Sequence, residues 1–184
     1  MTFLTSTADK LDPEPMQKRK KIYIASPLGF SEAGKFFLNE KLVPVFTRLG
    51  LDIIDPWVLT SPEIINSASS MPAGENRIKA WSDLNRIIAG NNIKGIIESD
   101  GVFAVLDGTD VDSGTAAEIG YASAIGKAVT AYRGDFRSAG DNEGSIVNLQ
   151  VAWFIESSGG VISSSLIAAE EEIKRLFVTS SVSV

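Results

Sequence analysis

Short apolar runs alternate with longer stretches of helical period along most of this chain. Ile22-Tyr23-Ile24-Ala25 is an apolar, β-prone run closed by Ser26-Pro27, which predicts a first buried strand. From Ser31 to Leu49, the residues Phe36, Phe37, Leu38, Leu42, Val45, Phe46 and Leu49 recur at helical spacing, with Gly50 as the stop and Pro44 expected to kink or split the helix. Leu51 to Ile54 predicts a second strand, closed by Asp55-Pro56. The stretch Thr60 to Gly74, rich in Ser, Pro, Ala and Asn, reads as a long loop. A helix is expected over Glu75 to Ala89, with Ile78, Trp81, Leu84, Ile87 and Ile88 on one face. Val102 to Leu106 is the clearest strand, ended by Asp107-Gly108. A helix over Thr115 to Ile125, a strand over Ala128 to Tyr132, helices over 145–157 and 164–178 and a short strand at Val161-Ile162 complete the pattern.

Strands alternating with helices predict an α/β fold: an open, doubly wound (flavodoxin-like) parallel sheet of about five strands with helices on both faces. Such a sheet makes its site at the carboxyl ends of its strands, here Ser26-Pro27, Asp55-Pro56, Asp107-Gly108 and Tyr132-Arg133-Gly134. One domain over 21–184, preceded by a loose leader over 1–20, accounts for the length. Lys18 to Lys21, the basic cluster at the end of that leader, reads as a solvated segment rather than a nucleic-acid or membrane patch. No apolar run approaches the ~20 residues needed to span a bilayer, and the first residues lack a signal-peptide core, so a cytoplasmic location is expected.

Composition then removes whole classes of chemistry. The chain has no cysteine and no histidine, which excludes disulfides, thiolate nucleophiles, imidazole bases and most zinc sites. Lys plus Arg number 17 against 23 for Asp plus Glu, a net charge of −6 that argues against a nucleic-acid partner. Neither a G-x-G-x-x-G after the first strand nor a P-loop pattern is present, so a dinucleotide oxidoreductase or P-loop NTPase is not expected. Catalysis, if any, falls to carboxylates, Tyr, Lys, backbone dipoles or an oxygen-ligated metal.

The densest chemistry lies between Leu106 and Ala122. Asp107, Asp110 and Asp112 occupy a strand-end loop, Asp112 or Ser113 suits the N-cap of the next helix, and Glu118 lies in that helix's second turn. Gly114, Ala116, Ala117 and Gly120 leave room for a ligand to approach. A carboxylate near a helix N-terminus is held ionised and is a competent nucleophile toward an oxocarbenium-like sugar carbon, with a second carboxyl (Asp112 or Asp83) to protonate the leaving group. Ordinary turn-and-cap chemistry, or Mg²⁺ ligation by the aspartates, are the competing readings of the same residues. Phe30 and Trp57, just past strand ends, suit stacking on a planar base, whereas Trp81 and Trp153 suit core or subunit interface.

Ile22 to Pro27, Ser82-Asp83-Leu84-Asn85, the block Asp112-x-Gly114-Thr115-Ala116-x-Glu118-x-Gly120-x-Ala122 and Val147-Asn148-Leu149 together resemble the nucleoside 2-deoxyribosyltransferase family over about residues 21 to 157. The resemblance implies that Glu118 attacks C1′ of a deoxynucleoside to form a covalent deoxyribosyl-enzyme, with Tyr23 beside it. It assigns Asp83 and Asp112 to contact and protonation of the nucleobase. Ser26, Pro27, Phe30, Trp57, Asp107 and Gly114 would line the substrate site. Asn148 would reach from a neighbouring subunit to the sugar 5′-hydroxyl, which implies a homo-oligomer. Deoxynucleosides and free bases would be the partners, with no cofactor or metal and no nucleic acid or membrane. The chain departs from family members that end in a tyrosine, ending instead in Ser-Val-Ser-Val. Arg133 and Arg137 raise an alternative, a 2′-deoxynucleoside 5′-monophosphate N-glycosidase in which they hold the phosphate. A non-catalytic nucleotide-binding module is the third reading.

Overall fold

The computed structural model describes residues 18–179. Five strands, β1 (Lys21–Ala25), β2 (Asp52–Ile54), β3 (Gly101–Val105), β4 (Val129–Tyr132) and β5 (Ile162–Ser163), form one sheet in the order β2-β1-β3-β4-β5. Every pairing is parallel. β1 and β3 are the central strands, covered on both faces, which is why their sequences are unbroken apolar runs rather than alternating ones. Their side chains divide with a period of two. Tyr23, Ala25, Val102 and Ala104 face one layer, and Ile22, Ile24, Phe103 and Val105 face the other.

The first layer contains α4 (Glu75–Glu98), α5 (Ser113–Ala124) and α6 (Leu149–Ser157), contributing Ile96, Ile119, Ala122, Val151 and Ile155 to the core. The second holds α1 (Glu32–Phe37), α2 (Val43–Arg48) and α7 (Leu166–Ile173), with Val45, Phe46, Ala169 and Ile173 buried. Between α1 and α2 the expected break takes the form of a π turn over Leu38–Leu42. Pro44 then sits in the first turn of α2, where its missing N–H leaves no bond unmade. A second π turn, Lys174–Val178, follows α7 and seats Phe177 in the core.

The structure corrects four expectations. The stretch read as a loop from Thr60 to Gly74 contains α3 (Pro62–Ser69), packed on α4; Pro62 occupies the first helical turn behind Ser61, so it starts a helix instead of breaking one. The helix expected to end at Ala89 runs on to Glu98 through Gly90. Its buried stripe is Leu84, Gly95 and Ile96, while Ile78 and Ile87 are exposed. Trp153, at 61 % exposure, is not a core residue, which leaves the subunit-interface alternative of its reading. Arg19 of the basic cluster is docked, donating to the carbonyls of Gly50 and Leu51 and pairing with Asp52. Residues 1–17, most of the expected leader, lie outside the described residues. Among the described residues no helix is long and apolar enough to cross a membrane.

Gly95 sets how closely α4 lies over the sheet. A Cβ there would stand 3.0 to 3.1 Å from Leu59, Ile54 and Tyr23. The second layer is held by an edge-on contact between Phe46 and Phe103, ring centroids 5.4 Å apart, with Phe103 fully buried. Phe103→Ala is expected to cost about 3–5 kcal/mol of unfolding free energy, read from the urea midpoint at constant slope.

Candidate active site

The strand order reverses direction between β1 and β3, and a cavity of about 380 Å³ opens beyond their carboxyl ends. Its walls are Ser26 and Phe30 after β1, Pro56 and Trp57 after β2, Asn85, Ile88 and Asn92 of α4, and Asp112, Gly114, Thr115 and Glu118 at the start of α5.

Glu118 sits at the floor. The hydroxyl of Tyr23, a fully buried side chain on β1, donates to its Oε1 at 2.6 Å, and Asn92 Nδ2 donates to the same oxygen at 3.4 Å. Burial pushes the Glu118 carboxyl above the ordinary glutamate range, the Tyr23 bond draws it back, and the negative charge of Asp112 adds to the upward push. Tyr23 itself is driven strongly upward, first by burial and then by Glu118, so it remains a donor at any working pH. Asp112 caps α5: its Oδ2 accepts from the backbone N–H of Thr115 at 2.9 Å and from the Thr115 hydroxyl at 3.2 Å.

The upper wall is aromatic. Trp57 stands in a short 3₁₀ turn, Pro56–Val58, that is fixed by Asp55 accepting from the Trp57 N–H at 3.0 Å. Its indole N–H donates to the Ser26 carbonyl at 3.4 Å, and its ring meets Phe30 edge-on at 4.6 Å. Gly29 makes this possible, since a Cβ there would lie 2.1 Å from the indole. The exposed rims of Phe30 and Trp57 give a planar ring a surface to stack on.

Of the residues singled out from the sequence, Glu118, Tyr23, Asp112, Ser26, Phe30, Trp57 and Gly114 converge here. Others do not. Asp83 lies on an exposed face of α4, paired with Arg86 at 2.9 Å, and does not line the cavity. Pro27 precedes the 3₁₀ turn Leu28–Phe30 and stays outside the lining. Asp107 is a brace, with Oδ1 accepting from the backbone N–H groups of Gly134 and Asp135 at 2.6 and 2.9 Å. Asn148 caps α6, accepting from Gln150 and Val151, and lies away from the cavity of its own chain.

The two arginines offered for a phosphate are both engaged. Arg133, 4 % exposed, donates to the carbonyls of Leu106, Gly108 and Arg137, tying β4 to the loop before α5. Arg137 forks onto Asp135, whose carboxyl is held well below its usual range by that contact. The aspartates weighed as Mg²⁺ ligands diverge: Asp107 and Asp112 bind the backbone groups named above and Asp110 accepts from the Val111 N–H. Among the described residues no three acidic groups converge as a metal site. Among the described residues no Lys or Arg lines the cavity.

Asn85 and Ile88, named from the sequence only as part of a motif and of a helix face, and Asn92, not named at all, also line the cavity. They follow one another at i, i+3 and i+7, a single stripe of a helix. That stripe becomes visible only when the helix is carried past Gly90.

A sequence model of the nucleoside 2-deoxyribosyltransferase family matches residues 22–150, and the chain belongs to that family. Among solved structures, a conserved protein from Enterococcus faecalis V583 is similar at 28 % identity with a TM-score of 0.58, over 86 % of this chain and 99 % of the other. A 2-deoxyribosyltransferase from Leishmania mexicana shares the fold at 24 % identity and a TM-score of 0.58, over 85 % of this chain and 97 % of its own. So does a CMP N-glycosidase from Clostridium botulinum, at 17 % identity and a TM-score of 0.50, over 85 % of this chain and 99 % of its own. No curated protein matches significantly.

Because Glu118 binds its proton more tightly in the folded chain than in the unfolded one, its ionisation lowers stability as pH rises from about 4.3 through the folded value. Glu118→Gln keeps an acceptor for Tyr23 and carries no charge. Its urea midpoint is expected to equal or exceed wild type at pH 7, with the difference closing near pH 4.

Proposed function

We propose that the protein transfers 2-deoxyribose between nucleobases by double displacement. The observation that carries this reading is a half-buried carboxylate, Glu118, held by the Tyr23 hydroxyl in a cavity lined by a second carboxylate and an aromatic corner. Oε of Glu118 attacks C1′, the C1′–N bond breaks, and its electron pair leaves with the base, which takes up a proton relayed from solvent through Asp112. An acceptor base then attacks C1′, the ester C–O bond breaks, Glu118 is restored, and the incoming base returns its proton to Asp112. Two inversions give retention at C1′. Asp112 alone takes the acid role, since Asp83 lies outside the cavity.

Uncharged nucleosides suit the site better than nucleotides. Among the described residues two acidic side chains and no cation line the cavity, and Arg133 and Arg137 are committed elsewhere. A homo-oligomer in which Asn148 serves a neighbouring site is supported by the apolar residues around it: Ile146, Leu149 and Trp153 are 52, 54 and 61 % exposed. Hydrolysis, with water replacing the acceptor base, differs from transfer only in the second step, so the products decide it.

Incubation with deoxyinosine and free adenine is expected to yield deoxyadenosine without added phosphate, followed by chromatography, and folded Glu118→Ala is expected to yield none. Hypoxanthine release at one rate with or without adenine establishes hydrolysis instead. Full exchange by Glu118→Ala overturns the assignment.

The nucleophile must be ionised, so kcat/KM is expected to fall on the acid side with a midpoint above the ordinary glutamate value of about 4.3. Tyr23→Phe removes the donor that favours the charged form, so this midpoint moves to higher pH. A hydrogen bond to a charged group is worth about 1.5–3 kcal/mol, so kcat/KM at neutral pH is expected to drop about 10- to 150-fold.

A further inference from the structure

An open groove of about 790 Å³ runs along the first half of α4, from Gly74 to Arg86, and meets the catalytic cavity at Asn85, which lines both. The two hollows are opposite in charge. Among the described residues, Asp112 and Glu118 line the catalytic cavity with no cation, whereas Arg77 and Arg86 line the groove with no Asp or Glu. Arg77 makes no hydrogen bond or ion pair among the described residues. Arg86 gives Nη1 to Asp83 at 2.9 Å, and its side chain is 77 % exposed. A guanidinium carries five N–H donors, so most of the donors on both arginines are uncommitted.

An apolar floor lies between the two cations. Ile78 is 71 % exposed and Trp81 is half-buried, and both line the groove. Gly74, Ile78, Trp81 and Asn85 recur at i, i+4, i+7 and i+11, which places them on one stripe of the helix. At a rise of about 1.5 Å per residue, Trp81 lies about 6 Å along the axis from Arg77 and about 7.5 Å from Arg86. A planar ring laid over Trp81 and Ile78 therefore leaves a phosphate, one sugar away, within reach of either guanidinium. A solvated helix face has no need of an exposed isoleucine and an indole between unpaired charges, and the transfer reaction proposed above uses none of these groups.

We propose that this groove is a second ligand site that binds a nucleoside phosphate, with the base on Trp81 and Ile78 and the phosphate on Arg77 or Arg86. No bond is made or broken there. The inference goes beyond the transfer reaction and does not depend on it. Because Asn85 belongs to both walls, an occupant of the groove adjoins whatever fills the catalytic cavity.

The test uses the full chain carrying Glu118→Gln, which lacks the carboxylate nucleophile of the proposed reaction. It is titrated by calorimetry with 2′-deoxyadenosine 5′-monophosphate, deoxyadenosine and inorganic phosphate. Replacing both arginines, Arg77→Gln with Arg86→Gln, is expected to weaken the monophosphate about tenfold or more and to leave deoxyadenosine unchanged. The single variants then name the arginine that holds the phosphate. Fluorescence locates the ligand, since the chain has three tryptophans, Trp57, Trp81 and Trp153. The change produced by the monophosphate is expected to persist in Trp57→Phe and to vanish in Trp81→Phe. Should Trp81→Phe not fold, the arginine variants still decide the question.

Absence of monophosphate binding overturns the proposal, as does an affinity unchanged by the paired arginine substitutions. A fluorescence change that vanishes with Trp57 instead places the nucleotide in the catalytic cavity and overturns it too. Inorganic phosphate bound as tightly as the monophosphate, with Trp81 silent, overturns the nucleoside part. The exchange assay is read separately. Its failure in wild-type protein removes the proposed transfer and leaves the groove to be judged on these titrations.

Discussion

Everything distinctive about this molecule turns on placing one carboxylate where water cannot solvate it well. Glu118 is pushed toward its neutral form by burial and by Asp112, and is kept usable by a tyrosine hydroxyl and an asparagine amide converging on one oxygen. The proposed nucleophile is thus a carboxylate with few competing solvent contacts, held by two donors on one oxygen. The cost falls on stability, and the surrounding packing offsets it. Tyr23 is fully buried on the central strand, and the glycine at position 95 lets α4 settle close over it.

The walls are rigid for separate reasons. Asp55 accepts from the Trp57 N–H, the missing side chain of Gly29 admits its indole, Asn91 of α4 holds the following residues through the Leu59 carbonyl, and the cap formed by Asp112 fixes the first turn of α5. Arg133 and Asp107 brace the loop before α5 against the end of β4. Groups that looked available for ligands in one dimension are the struts of the site in three.

Much of this was readable beforehand, and the failures have physical causes. The parallel sheet followed from strands alternating with helices, and the cap of α5 from a dense motif whose members lie within one loop and one helix turn. Local chemistry of that kind survives folding unchanged. Asp83 misled because a carboxylate's value depends on which side of α4 it occupies, and its pairing with Arg86 on an exposed face is invisible without the helix phase. Arg133 misled because a guanidinium beside a strand end looks like an anion site until the carbonyls of Leu106 and Gly108 arrive from a segment 25 to 27 residues away. The loop expected over Thr60 to Gly74 and the helix end expected at Ala89 differ from the structure because a proline in a first turn costs almost nothing and a glycine inside a helix costs only about 1 kcal/mol. Truncating α4 at Gly90 is what hid Asn92.

The bond between Tyr23 and Glu118 joins residues 95 positions apart, across two strands of a parallel sheet and a long intervening helix. During synthesis, β1 emerges early and must wait for β3, α4 and α5 before its tyrosine finds a partner. Non-local pairings of this kind are formed late and slowly, because loop closure must precede any reward. The pairing of Tyr23 with Glu118 is therefore assembled only as the sheet closes, so a partly folded chain, even one with much of its helix in place, lacks the arrangement around that carboxylate.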